Sequence, residues 1–168
     1  KIMGNSEITM GLDAQLNDVK SRASRTNLNT GAVSKLDTRY PDGKNSMNNF
    51  GVFIQHIHKF KNNKLVLNDG IRLQAVTLRS NILDNSFFSL PDTVIKQNYT
   101  VVTGNIGLVF FPHKNTSIRT SISSGFRAPN IDDLSKIFES SSSARQVVVP
   151  NANIKPEYTY NIDLSINQ

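Results

Sequence analysis

Apolar and polar residues alternate with period two along five stretches of this chain. The clearest case is residues 99–129, YTVVTGNIGLVFFPHKNTSIRTSISSGFRAP. Val102, Gly104, Ile106, Leu108 and Phe110 fall on one side of the first run, and Val101, Thr103, Asn105, Gly107 and Val109 on the other. In the second run Ile118, Thr120, Ile122 and Phe126 oppose Ser117, Arg119, Ser121, Ser123 and Arg127. Successive side chains of a strand point to opposite faces, so alternation of this length predicts two strands. Pro112-His113-Lys114-Asn115 between them reads as a short polar turn, making a hairpin.

The rest of the chain repeats that plan. Residues 7–17 set Ile8, Met10, Leu12, Ala14 and Leu16 against polar neighbours. Residues 20–49 are polar and rich in Asn and Ser, which predicts a long loop. The run 50–60, FGVFIQHIHKF, is strand-like, but both of its faces are mixed and the pattern does not say which is which. Asn62-Asn63 marks a tight turn. Residues 65–79 alternate Leu65, Leu67, Ile71, Leu73 and Ala75 against Asn68, Gly70, Arg72 and Gln74, and Asp69 on the apolar side breaks the rule. A second long loop spans 80–96 around Pro91-Asp92, and a third spans 127–156. A last run places Tyr158, Tyr160, Ile162, Leu164 and Ile166 on one face.

Connections thus run long, short, long, short, long. The prediction is an all-β, up-and-down antiparallel sheet of about six strands with every long loop at one end. Transmembrane β-barrels have that asymmetry, and they carry aromatic girdles at both interfaces. Phe60, Phe110 and Phe111 lie beside the short turns, and Tyr99, Phe126, Tyr158 and Tyr160 near the long loops, as two girdles would require. The alternative is a soluble all-β ligand- or carbohydrate-binding module, a sandwich or closed barrel whose apolar face turns inward. The two differ in whether the apolar face is covered.

Composition narrows the picture. The 168 residues suffice for one domain, here read as a single partial barrel domain over 1–168. Hydrophobic residues make up 38% and charged residues 19%, both low for a globular protein, and Ser, Thr and Asn fill the gap. With no cysteine there is neither a disulfide framework nor a thiolate metal site. The chain starts on Lys1 without a leader and stops inside a strand pattern, and is read as a fragment of something larger.

The net charge of +6 is unevenly spread. Loop 20–49 carries Lys20, Arg22, Arg25, Lys35, Arg39 and Lys44 against Asp37 and Asp42, a net +4. Arg22, Arg25 and Arg39, with Tyr40 beside them, are the candidate residues for capturing an anionic small-molecule ligand. A nucleic-acid partner is not indicated, because the aromatics are placed in girdles rather than in a basic groove. His56 and His58 share one strand face, but no cysteine or adjacent acidic residue completes a metal site, so no metal and no cofactor is assigned. Enzymatic signatures are absent, and Asp132-Asp133 suits a helix start better than an acid/base pair.

The segments Ser124-Gly125-Phe126-Arg127-Ala128-Pro129-Asn130, Asp133-Leu134 and Pro150-Asn151-Ala152-Asn153-Ile154-Lys155-Pro156-Glu157 resemble the carboxy-terminal barrel of TonB-dependent outer-membrane receptors. Gly70-Ile71-Arg72-Leu73 is similar to a strand motif of that family with Leu in place of an aromatic, and VVVPNANIKPE looks most like receptors of the Bacteroides group. The resemblance covers nearly the whole chain. It implies a plugged barrel of roughly twenty-two strands in the bacterial outer membrane, of which this would be about a quarter. It further implies a plug domain, a TonB partner, outer-membrane lipid around the wall, and import of a scarce nutrient, a ferric siderophore before cobalamin, haem or glycan. Phe126, Arg127, Ala128, Pro129, Pro156 and Glu157 would be its structural signature. Arg72, Arg119 and Arg127 would line the lumen and pair with plug carboxylates or other wall residues, and without a plug should be solvated. Residues 130–150 lack the histidine that haem receptors usually carry there, and Ala152 stands where Pro is usual, so haem is disfavoured.

Overall fold

The computed structural model describes residues 2–36, 43–60, 63–83, 94–135, 139–141, 146–147, 151 and 153–168. Its elements, in chain order, are β1 (Ile2–Met3), β2 (Ser6–Val19), β3 (Ala23–Thr26), β4 (Val33–Leu36), β5 (Gly43–Phe60), β6 (Leu65–Ile82), β7 (Val94–His113), β8 (Thr116–Arg127), α1 (Ile131–Ser135), β9 (Glu139–Ser141), β10 (Gln146–Val147) and β11 (Glu157–Asn167). One sheet runs in the order β1-β2-β5-β6-β7-β8-β11, every pair antiparallel. Six of these are long strands in chain order, so the sheet is an up-and-down meander. The sheet is open: β11 pairs with β8 alone among the described residues.

The register shows why the meander holds together. Residues facing each other across a ladder share a face, and Ala14↔Phe50↔Ala75, Leu12↔Val52↔Leu73↔Val102 and Met10↔Ile54↔Ile71↔Gly104 line up apolar residues across four strands. A separate rung, Ile106↔Ile122↔Ile162, carries the apolar face on to the far edge. Register therefore settles the ambiguous run: Phe50, Val52, Ile54, His56, His58 and Phe60 lie on the apolar face, and Phe53 and Ile57 on the other. This face has no cover. Leu12 is 81% exposed and Ile162 79%, and a sandwich or closed soluble barrel would have buried them.

The loop boundaries differ from the pattern. β5 begins at Gly43 and β6 runs to Ile82, so strand backbone replaces part of the loops expected at 20–49 and 80–96. The first connection also contains its own hairpin, β3 against β4. Pro112 is not in the turn but inside β7, where the register shifts between Phe110 and His113; a residue without an N–H fits such a bulge. Only Lys114-Asn115 form the turn. At the other short turn Asn63 takes φ 68°, a left-handed conformation that Asn tolerates. The strand ends joined by the three long connections, Val19 and Gly43, Ile82 and Val94, Arg127 and Glu157, all lie at one end.

At that end the alternation changes phase. Up to Ala75 the odd residues of β6 are apolar except Asp69, whereas beyond it the buried apolar residues are the even ones, Val76, Leu78 and Ile82. Leu78 and Ile95 pack with Ile131 of α1, joined by Val19, Met47 and Ile154. The core is thus on the polar side of the sheet, at the long-loop end, where the connection after β8 folds over it. Tyr99 belongs to this side too, so it is not part of a girdle on the apolar face. Its hydroxyl lies 2.6 Å from Gln97 Oε1 and 3.1 Å from the Ile154 carbonyl, which also accepts from Gln97 Nε2 at 3.2 Å.

Candidate functional site

The polar face carries the Asp13–Arg72 ion pair, and a glycine sets its geometry. Asp13 on β2 stands opposite Gly51 on β5, which stands opposite Gln74 on β6. Because residue 51 has no side chain, Arg72 reaches diagonally across β5. It donates from Nη1 to Asp13 Oδ2 at 2.6 Å and from Nη2 to Asp13 Oδ1 at 2.9 Å. Its Nε donates to Gln74 Oε1 at 3.2 Å, which fixes the plane of the guanidinium. A Cβ at position 51 would collide with Arg72 Nη2 and stand 2.7 Å from Asp13 Oδ2. Arg72 is therefore not solvated: of the two partners expected for it, plug or wall, it has the wall carboxylate. Arg119, on the same face, is exposed and has no ion-pair partner among the described residues.

Arg127 also departs from the solvated expectation. It donates through Nη2 to Asp133 Oδ2 at 2.9 Å and through Nη1 to Glu157 Oε1 at 3.1 Å. Glu157 is its register partner at the first rung of β11, and Asp133 sits in the first turn of α1. The attraction of Asp133 and the hydrogen bond to Glu157 raise the pKa of this guanidinium, beyond the aromatic rim of the wall, above its ordinary value. Asn130 caps the helix, its Oδ1 accepting from the Asp133 N–H at 2.9 Å, while Asp133 Oδ2 accepts from the Asn130 N–H at 3.1 Å. That reciprocal pair is a capping box. Pro129 is buried, and Phe126 and Tyr158 contact across the strands with ring centroids 5.6 Å apart. Phe126, Arg127, Pro129 and Glu157 thus form one knot tying β8, α1 and β11 together. A cleft of ≈ 260 Å³ bounded by Arg127, Pro129, Asp133, Ile154, Lys155 and Glu157 lies against it. Ala128 and Pro156 are half-buried beside it, with no side-chain bond of their own.

The knot closes a split in the wall. The β7–β8 ladder ends at Asn105↔Ser123. Just above, Ser124 Oγ accepts from the Gly104 N–H at 2.9 Å and donates to the Gly104 carbonyl at 3.3 Å, so one hydroxyl takes over both backbone groups. Beyond it β7 stays with β6 while β8 stays with β11. The Ile154 carbonyl meets β7 there, at Gln97 and Tyr99.

The loop residues singled out for an anionic ligand are only partly gathered. Arg22 and Arg25 are exposed, and Arg39 and Tyr40 lie outside the described residues. Arg25 pairs with Ser34 in the β3–β4 hairpin, and Lys35 pairs with Ser24, so Arg25 and Lys35 occupy opposite faces of it. Asn27 turns the hairpin tip, accepting at Oδ1 from the Asn29 and Thr30 N–H groups.

On the apolar face, His56 and Asp69 face each other across β5 and β6 with Nδ1 and Oδ1 3.0 Å apart. Local alternation gives His56 no acidic partner and makes Asp69 an exception; register supplies each with the other. His58 Nδ1 lies 2.5 Å from Ser6 Oγ. No group of three metal-ligating side chains occurs among the described residues.

Residues 3–167 match the family model described as TonB dependent receptor-like, beta-barrel. Among solved structures, the copper transporter OprC superimposes with a TM-score of 0.75 at 20% identity, over 98% of this chain and 25% of that one. A double mutant of the Serratia marcescens hemophore receptor HasR, in complex with its hemophore HasA and heme, gives 0.67 at 13% identity, over 98% and 27%. The chain spans about a quarter of the length of either protein. No curated protein matches the sequence.

Proposed function

Since this chain belongs to the TonB-dependent receptor-like β-barrel family, we propose that it forms part of the wall of an outer-membrane transporter that imports a scarce nutrient with TonB-derived energy. The observation that carries this is the uncovered apolar face shared by six consecutive strands, with ionic groups confined in its central stretch to the opposite side apart from the His56–Asp69 pair. In a membrane barrel that face meets lipid and the other lines the lumen. Phe50 to Phe60 is eleven residues, and at about 3.3 Å each with a tilt near 45° they give a band about 25 Å tall, the height of a barrel's lipid belt. The remaining strands, a plug domain and the TonB-contacting segment belong to the longer receptor.

The nutrient is proposed to be a ferric siderophore, an anionic chelate steered to the long-loop end. The connection between β2 and β5 favours this: Lys20, Arg22, Arg25, Lys35 and Arg39 outnumber Asp37 and Asp42, a net +3 over residues 20–42. The copper named for OprC and the heme in the HasR complex are the competing cargoes to test. Uptake of a labelled ferric siderophore by cells with full-length receptor as their sole importer, run against copper ions and haem, decides among them. Changing Arg22, Arg25 and Arg39 together to Gln should slow association about tenfold at low salt and less at high salt. Unchanged kinetics at normal surface abundance would remove these residues from ligand capture.

A further inference from the structure

Three cations lie on the outward face above the lipid belt. In β5 to β7 beyond the phase change the inward residues Asn45, Leu78, Ser80 and Ile95 are buried, and the alternate residues point out. Among these, Arg79 and Lys96 stand directly opposite each other in the β6–β7 ladder. Lys44, opposite Asn81, is diagonal to Arg79, whose own β5 partner is Ser46. All three are exposed, and none makes a hydrogen bond or ion pair with the described residues. Asp18, opposite Ser46 and two strands from Arg79, is the acidic residue on this patch among the described residues, and it too is unpaired there.

Like charges directly opposite on one sheet face destabilise the pair, since their Cβ atoms lie about 5 Å apart. The arrangement becomes favourable once an anion bridges them. Height identifies that anion. Arg79 is four residues past Ala75, the last residue of the apolar stretch in β6. Along a strand tilted by about 45° that is about 9 Å above the hydrocarbon edge, at headgroup level. The face is turned away from the lumen, so a cargo passing through the barrel does not meet it.

We propose that Lys44, Arg79 and Lys96 form a binding site for the phosphate of a phosphorylated lipid in the outer leaflet. Arg79 supplies a planar fork able to hold two phosphate oxygens, and the lysines flank it as point charges. The site rests on the barrel reading, which puts this face toward lipid, but not on the identity of the cargo.

The test uses the full-length receptor, extracted from outer membranes in mild detergent, and counts retained bisphosphorylated lipid A by native mass spectrometry. The variant Lys44→Gln/Arg79→Gln/Lys96→Gln should lower the affinity for added lipid A on the order of tenfold or more. Lys114→Gln, at the opposite end of the wall, should leave it unchanged. Dephosphorylated lipid A should bind wild type no better than phosphorylated lipid A binds the triple variant. Equal retention by wild type and triple variant overturns the site while the barrel reading stands. A full-length receptor absent from the outer membrane overturns both. Displacement of the lipid by equimolar inorganic phosphate would assign the cluster to free phosphate and overturn the lipid site.

Discussion

Gly51 shows how much one missing side chain can decide. Asp13 and Arg72 sit on strands that are not neighbours, and the guanidinium reaches the carboxylate by passing over Gly51 of β5, where no side chain projects. Gly51→Val therefore does two things at once: it crowds a packed position and it separates the ion pair. The overpacking alone should cost about 1–3 kcal/mol, read as a lower midpoint for thermal unfolding of the folded full-length barrel. Asp13→Asn, which keeps the shape and removes the charge, should cost much less, because both groups are partly exposed and screened by water. If both variants melt alike, the clamp is held by charge and not by the space above Gly51.

At the level of the element, α1 is only five residues long and cannot be stable alone. Its capping box, the pairing of Asp133 with Arg127 and the burial of Ile131 hold it. Ile131→Ala should destabilise this end by about 2 kcal/mol or more. Asn130→Ala should cost about 1 kcal/mol, as loss of an N-cap does. Amide exchange in residues 130–135 reports both; the effect should stay local, with the β5–β6 ladder keeping its protection. Arg127→Gln should speed exchange both in α1 and at the first rungs of β11, since one side chain bridges the two. An effect confined to one of them would break the account of the knot.

Across the whole molecule the dominant fact is the bare apolar face together with the open edge at β11. The 168-residue chain taken alone should associate in plain buffer and disperse in detergent, because only lipid, detergent or another copy can cover Leu12, Ile71, Ile106, Ile122 and Leu164. Sedimentation in the two solvents checks this. A dilute monomer in detergent-free buffer would contradict the lipid-facing assignment of that face.

Strand number, order and the sidedness of the loops were legible in the sequence, because a strand's two faces repeat every second residue and because short turns announce themselves through Asn and Lys. The phase change past Ala75 falls inside the run 65–79 and is visible in the sequence too. It marks the level where one face turns from apolar to polar and the other becomes a covered core. What periodicity could not decide was anything that depends on register. The mixed run 50–60 has apolar residues on both sides, and only its ladder with β2 and β6 shows which side joins the continuous apolar face. The partners of His56, Arg72 and Arg127 lie 13, 59 and 6 or 30 residues away in the chain. Local alternation determines which way each side chain points; which charge it then meets is set by how far neighbouring strands slide past one another, and that is fixed only when the whole apolar face is assembled in line.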